Sequence, residues 1–285
     1  MNKEILPLKW WTFKKNFGDL LSPWLVKRLY DGEVRYCDGK EEKTYLAIGS
    51  VVDKATPFSI VWGSGAFGTE NLPNVKNKSS LCLKSIYTAV RGPLTRNLIR
   101  IHGVEVPPVY GDPALLVPYF YNPNIKKEYE VGVILRWSEP YWNKLEYGDG
   151  IKKIYLGTDN IEKVLNDILS CKRIISSSLH GIILSDAYNI PSAWIDTKSA
   201  NGYHFKFYDY MLSVHKVQQP QIFDKNIYGE NASVKLNAII DNFYFDNRHI
   251  RWNPVKLIEA CPFIDMNIKF KLISDIANKY CNNTI

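Results

Sequence analysis

The chain has 285 residues, 46% of them hydrophobic, 13% aromatic and 23% charged, which excludes wholesale disorder and, at about 150 residues per domain, predicts two domains. Thirty-six basic against 29 acidic residues give a net charge of +7, suited to an anionic ligand or surface. No apolar run nears the ~20 residues that cross a bilayer, and M-N-K-E-I-L-P-L-K-W-W lacks a signal-peptide pattern, so a cytoplasmic protein is expected.

Taken in chain order, a first strand ends at Trp10-Trp11, and a polar loop, Thr12–Asp19, leads into L-L-S-P-W-L-V-K-R-L-Y. There Ser22-Pro23 reads as an N-cap and first helical residue. Apolar runs at Tyr45–Ile48, Ser59–Trp62 and Ile86–Val90 read as strands, each ending in a turn that carries Gly or Arg. G-P-L-T-R-N-L-I-R-I-H, from Gly92 to His102, is helical and stopped by Gly103. V-Y-G-D-P-A-L-L-V-P closes this half.

The polar, Pro- and Asn-bearing stretch Tyr119–Glu130 is the predicted linker. Beyond it come a buried-strand pattern V-G-V-I-L-R, a strand K-K-I-Y-L-G and a helix D-N-I-E-K-V-L-N-D-I-L-S-C. A strand K-R-I-I-S-S-S, a helix H-G-I-I-L-S-D-A-Y-N and a strand P-S-A-W-I-D follow. The tail after about Gln221 reads as mostly helical. The predicted fold is α/β, with two Rossmann-like doubly wound domains facing a cleft at the carboxyl ends of both sheets. The boundaries are 1–118, a linker 119–130, 131–220, and a helical tail 221–285 packing back on the domains.

Five cysteines lie far apart without a C-x-x-C pair, and five histidines show no H-x-x-x-H spacing. Neither a disulfide framework nor a metal site is expected, and no cofactor is predicted. The basic residues show no recognition-helix or RNP-type signature, so no nucleic-acid partner is expected.

Four segments place polar groups at strand-to-helix junctions. In K-K-N-F-G-D, Asn16, Gly18 and Asp19 precede a helix whose free amides favour an anion or a hydroxyl-rich ligand; the alternative is an ordinary capped turn. V-W-G-S-G-A holds Gly63 and Ser64 in a lone G-x-G, better explained by backbone packing than by a dinucleotide. In A-V-R-G-P-L-T-R, Arg91 ends a strand, so its fork is expected to point into the cleft toward a carboxylate or phosphate, a surface salt bridge being the alternative. In I-I-S-S-S-L-H-G-I-I-L, His180 opens a helix whose dipole disfavours the imidazolium, as suits a proton carrier; a capped core histidine is the alternative.

The ordered set N-F-G-D-L-L-S-P, G-S-G-A, V-R-G-P-L-T-R, G-D-P-A-L-L-V-P, V-G-V-I-L-R and S-S-S-L-H-G-I-I-L-S-D-A-Y-N-I-P resembles the polysaccharide pyruvyl transferase family over roughly residues 10–215. N-G-Y-H-F-K-F-Y-D-Y (Asn201–Tyr210) is similar to a segment of its exopolysaccharide branch. The resemblance implies a fold similar to GT-B glycosyltransferases. It also implies transfer of the pyruvyl group of phosphoenolpyruvate (PEP) onto two sugar hydroxyls as a cyclic ketal, with release of phosphate, in bacterial surface polysaccharide biosynthesis. No metal is obligatory for that chemistry. His180 is then the candidate general acid/base and Asp19 the group that orients or deprotonates the acceptor. Arg91, Arg136, Ser178 and Lys206 are the candidate PEP-binding residues, Ser178 standing where many members carry arginine. Asn16, Gly18, Gly63, Ser64 and Asp112 are assigned to the acceptor side and the cleft, Asp112 as a brace of the domain seam. The implied acceptor is a polyprenyl-linked oligosaccharide. The Lys9–Lys15 segment, K-W-W-T-F-K-K, is either core at its tryptophans or a cleft rim in peripheral contact with the inner face of the cytoplasmic membrane. A nucleotide-sugar glycosyltransferase and a non-catalytic glycan-binding protein are the rival readings.

Overall fold

A computed structural model describes residues 3–69, 81–136, 138–139, 144–197, 204–223 and 234–282. Residues 201–203 of the Asn201–Tyr210 segment lie outside the described residues.

The first half contains β1 (Leu6–Lys9), α1 (Phe17–Tyr30), β2 (Val34–Tyr36), β3 (Thr44–Leu46), β4 (Ser59–Trp62), β5 (Ile86–Ala89) and α2 (Pro93–Arg100). A 3₁₀ segment, Pro113–Tyr119, follows. The second half contains β6 (Tyr129–Leu135), β7 (Ile151–Tyr155), α3 (Ile161–Leu169), β8 (Cys171–Ser176), α4 (Leu179–Ala187), β9 (Ser192–Asp196), α5 (His204–Ser213) and β10 (Gln221–Ile222). Three helices complete the described tail, namely α6 (Leu236–Asn242), α7 (Pro254–Glu259) and α8 (Met266–Asn282).

Both sheets are parallel, with orders β2-β1-β3-β4-β5 and β10-β9-β8-β6-β7. Numbered within its own half, each sheet has the doubly wound order 2-1-3-4-5. The winding therefore reverses between β1 and β3 in one half and between β6 and β8 in the other. Crevices for ligands form at the carboxyl ends of such strand pairs. The fold is thus two Rossmann-like domains in a GT-B-like arrangement.

Burial explains why the central strands form where they do. Val131, Val133, Ile134 and Leu135 of β6 are all buried, as a strand covered on both faces requires. Gly132 belongs there because a Cβ would come within 2.6 Å of the Ile174 side chain and 2.8 Å of Cys171 Sγ. One apolar cluster runs through both halves, from Leu8, Leu25 and Trp62 to Ile134, Ile182 and Trp194. The tail divides between the halves. Phe243 stacks obliquely on Phe223, whereas Trp62 Nε1 donates to Leu257 O at 2.8 Å and Phe263 packs edge-on against Tyr45 and Trp62.

One expectation needs correction. Helix α1 starts at Phe17, with extended Asn16 as its N-cap, and not at Ser22-Pro23; Pro23 lies inside it. The long-range bond from Phe17 N to Leu156 O, 2.8 Å, fixes the true start, and the buried Leu21, Leu25 and Leu29 carry the helix past the proline. The second sheet runs from β6, which begins at Tyr129, to β10, which ends at Ile222. The linker itself is tied down, for Tyr121 OH donates to Asn166 Oδ1 and Tyr188 OH donates to Tyr121 O.

Candidate active site

A cavity of about 490 Å³ opens where the two switch points meet. The first half contributes Trp11 after β1, Asn16 and Asp19 at the start of α1, and Ser50 after β3. The second contributes Arg136 after β6, Ser178 and His180 at the start of α4, and Lys206 of α5.

His180 stands at the floor. The turn before it is built by Ser176, whose Oγ accepts from Ser178 N at 3.0 Å and donates to Ser178 O at 2.9 Å. Gly18 makes room for the ring: a Cβ there would lie 2.3 Å from His180 Nδ1. Its Nε2 is buried and finds no hydrogen-bond partner among the described residues. Burial, with Lys206 and Arg91 nearby, holds the pKa down to about 3, so the resting imidazole is neutral. Desolvation, rather than the helix dipole, is the largest cause of this lowering.

Asp19 and Lys206 shift toward each other. Burial pushes the Asp19 carboxyl up to about 6, against Asn16 Nδ2, which donates to Oδ2 at 2.5 Å, and against Lys206. Burial, with Arg136 and Arg91, brings the Lys206 ammonium down to about 7. Lys206 also lies 5.6 Å from the ring centres of both Phe67 and Phe207. The site therefore holds an acid and a base that titrate near neutrality.

Arg91 does not point into the cavity as expected. It is 0% exposed and sits behind the wall. Its Nε donates to Asp209 Oδ2 at 3.0 Å, its Nη1 to Ser50 Oγ at 2.8 Å and its Nη2 to Ala66 O at 2.6 Å. Asp209 of α5 also accepts from Thr95 N at 2.8 Å and Thr95 Oγ1 at 2.6 Å, so one carboxylate joins the second half to the start of α2. Arg136 does line the cavity. Its Nη2 lies 2.6 Å from Glu139 Oε1, and Ser177 Oγ donates to Glu139 Oε2 at 2.6 Å.

Gly63, Ser64 and Asp112 are outside the lining. Gly63 has φ +80° and faces Pro113, whose Cδ would be 2.4 Å from a Cβ. Ser64 Oγ donates to Gly49 O at 2.7 Å, shaping the turn that presents Ser50. Asp112 Oδ1 accepts from Ala114 N at 3.0 Å and opens the 3₁₀ segment that packs against α4. Sequence reasoning missed the lining residues Ser50, Asp53, Lys54, Phe67 and Ser138, and Glu139 and Asp209 behind them. Only Asp209 had a signal, as the acid of H-F-K-F-Y-D-Y. Among the described residues no group of three or more His, Cys, Asp and Glu side chains is placed to hold a metal ion.

Residues 41–199 match the family described as Polysaccharide pyruvyl transferase. An uncharacterized protein of Acanthamoeba polyphaga mimivirus is 27% identical over 219 residues, covering 72% of this chain and 73% of that protein. The succinoglycan biosynthesis protein ExoV of Rhizobium meliloti is 28% identical over 232 residues, covering 75% of this chain and 66% of that protein.

Proposed function

The chain belongs to the polysaccharide pyruvyl transferase family, and on that premise we propose that it moves the pyruvyl group of PEP onto two hydroxyls of a sugar as a cyclic ketal. The acceptor in this reading is a growing surface glycan, a polyprenyl-linked oligosaccharide, and no metal or cofactor takes part. The observation that carries the proposal is the buried, unpartnered Nε2 of His180, in a cavity that also holds Asp19, Lys206 and Arg136.

The chemistry assigns each group a task. PEP brings about three negative charges, and protonation of its methylene carbon creates an oxocarbenium-like centre that surrounding charges must stabilise. Lys206 and Arg136 hold the anionic groups, with Ser178 at the start of α4 beside them. The bound anion offsets the Lys206 and Arg91 charges and adds negative charge beside His180, which favours the protonated ring against the burial that is the main cause of its low pKa. His180 then protonates the methylene carbon, making it the ketal methyl. Asp19 takes the proton of the attacking sugar hydroxyl; phosphate leaves with its bridging oxygen, and the second hydroxyl closes the ring as it loses its own proton.

Incubation with PEP and candidate glycans, followed by mass spectrometry, tests this. A gain of about 70 Da, pyruvic acid less water, together with phosphate release is expected from the balance of this oxocarbenium route. His180→Gln is expected to lower turnover by about 10²–10⁴ with an unchanged circular dichroism spectrum. Sugar–nucleotide hydrolysis in place of PEP consumption would transfer the site to glycosyl transfer.

A further inference from the structure

Arg91 carries a full charge beside the cavity yet has no surface in it. Its contact with the lining is Ser50, whose Oγ accepts from Nη1 at 2.8 Å. Among the described residues that bond is the one made by the Ser50 hydroxyl. With a lone pair committed to the guanidinium, the hydroxyl hydrogen is left to turn away from it, and Ser50 lines the cavity.

We propose that Ser50 binds the ligand of this cavity, donating a hydrogen bond to an anionic oxygen, carboxylate or phosphate, while Arg91 fixes the hydroxyl from behind. Naming that anion as PEP rests on the pyruvyl-transfer reading. The loop is built for the task. Gly49 has φ +120°, and its carbonyl is pinned by Ser64 Oγ at 2.7 Å and Gly65 N at 3.0 Å. The guanidinium is fixed in turn by Asp209 and Ala66 O, and Gly65 leaves it room, since a Cβ there would fall 2.2 Å from Arg91 Cζ. A hydroxyl that accepts from a cation is a stronger donor, because bonds in a chain polarise one another. Arg136, Lys206 and Lys54 outnumber Asp19 and Asp53 in the lining, so the acceptor that fits this donor is negatively charged. Ser50 is thus a binding residue and Arg91 a positioning residue acting through it.

Ser50→Ala is expected to raise the KM for PEP about tenfold or more, the usual effect of losing a hydrogen bond to a charged group, with a smaller change in kcat. Ser50→Thr, which keeps a hydroxyl, should recover most of the affinity. Arg91→Lys should raise the same KM, and the double variant Ser50→Ala/Arg91→Lys should be no worse than the larger single effect, as members of one relay are non-additive. An unchanged KM in Ser50→Ala, or additive effects, would overturn the assignment while leaving pyruvyl transfer intact. If the wild-type protein does not consume PEP, pyruvyl transfer falls and the site is judged by calorimetry with inorganic phosphate. Binding that Ser50→Ala weakens supports the anion site; equal binding, or none by the wild type, overturns it.

Discussion

His180, Asp19 and Lys206 share one cavity, and burial acts on all three by disfavouring the charged form. The result is an imidazole with pKa about 3, a carboxyl near 6 and an ammonium near 7. If Asp19 works deprotonated and Lys206 protonated, the first gives kcat/KM an ascending limb near 6 and the second a descending limb near 7. The proton that His180 takes up with the donor adds a further fall with rising pH that flattens the ascending limb. Because the groups interact, the two limbs belong to the pair. Lys206→Arg should separate them, since guanidinium stays charged, moving the alkaline limb upward by two units or more. A limb that stays near 7 would show that another group sets it. Gly18 gives a second handle on the same ring. Gly18→Ala places a Cβ 2.3 Å from His180 Nδ1, within a helix that alanine itself favours. Turnover should fall at least 100-fold, the size of effect expected when a proton-transfer group is displaced, with a modest loss of Tm because the overpacked ring outweighs the gain in helix propensity. A lower Tm with near-normal turnover would mean that the helix shifts and the ring does not.

At the scale of elements, α5 does more than cover the second sheet. One turn of it carries Lys206 into the cavity and Asp209 into the first half, where Arg91, Thr95 and the start of α2 receive it. The fit leaves no slack: a Cβ on Gly92 would lie 1.9 Å from Asp209 O. Asp209→Asn should destabilise the protein by about 3–5 kcal/mol, because the fully buried Arg91 loses its counter-charge. Urea unfolding measures this, and a loss below about 1 kcal/mol would show that Ala66 O and Ser50 suffice for Arg91. This pairing also explains what the sequence left illegible. The arginine after β5 was recognisable as a strand-end cation, but its partner lies 118 residues away, so its inward orientation had no local signature. Ser22-Pro23 looked like a helix start by every local rule, and the bond from Phe17 N to Leu156 O that overrides it crosses between the halves. Strand β2, three residues with only Val34 half-buried, carries no alternation to read. By contrast β6, β8 and α4 were legible, because buried elements announce themselves as apolar runs. The serine turn before His180 was legible for a related reason, since small hydroxyl residues at the end of an apolar run mark a sharp strand-to-helix turn.

For the whole molecule, the +7 charge and the Lys9–Lys15 segment raise the question of an anionic membrane. No helix among the described residues is long and apolar enough to cross one. The fold narrows what the segment can offer. Lys9 Nζ is committed to two carbonyls, Asp38 O and Lys54 O, each at 2.6 Å. Trp10 packs edge-on against Tyr36, and Trp11 lines the cavity. Phe13, 80% exposed and 6.0 Å from the Trp11 ring, stands beside the exposed Lys14 and Lys15, which both have partners within the protein, Lys15 in Asp159 at 2.6 Å. Two lysines released from their partners near an anionic surface contribute at most about 1 kcal/mol each, and full insertion of one phenylalanine about 2 kcal/mol. The sum, at most about 4 kcal/mol, corresponds to millimolar affinity. Vesicles rich in phosphatidylglycerol should therefore sediment part of the protein at about 20 mM salt and release it at about 0.5 M, where screening shortens the reach of each charge to a few ångströms. Phe13→Ala should weaken the low-salt binding several-fold without altering PEP turnover in solution. Binding that ignores lipid charge, or none at low salt, would remove the membrane from the proposal and leave the polyprenyl-linked acceptor to reach the cavity without help from this segment.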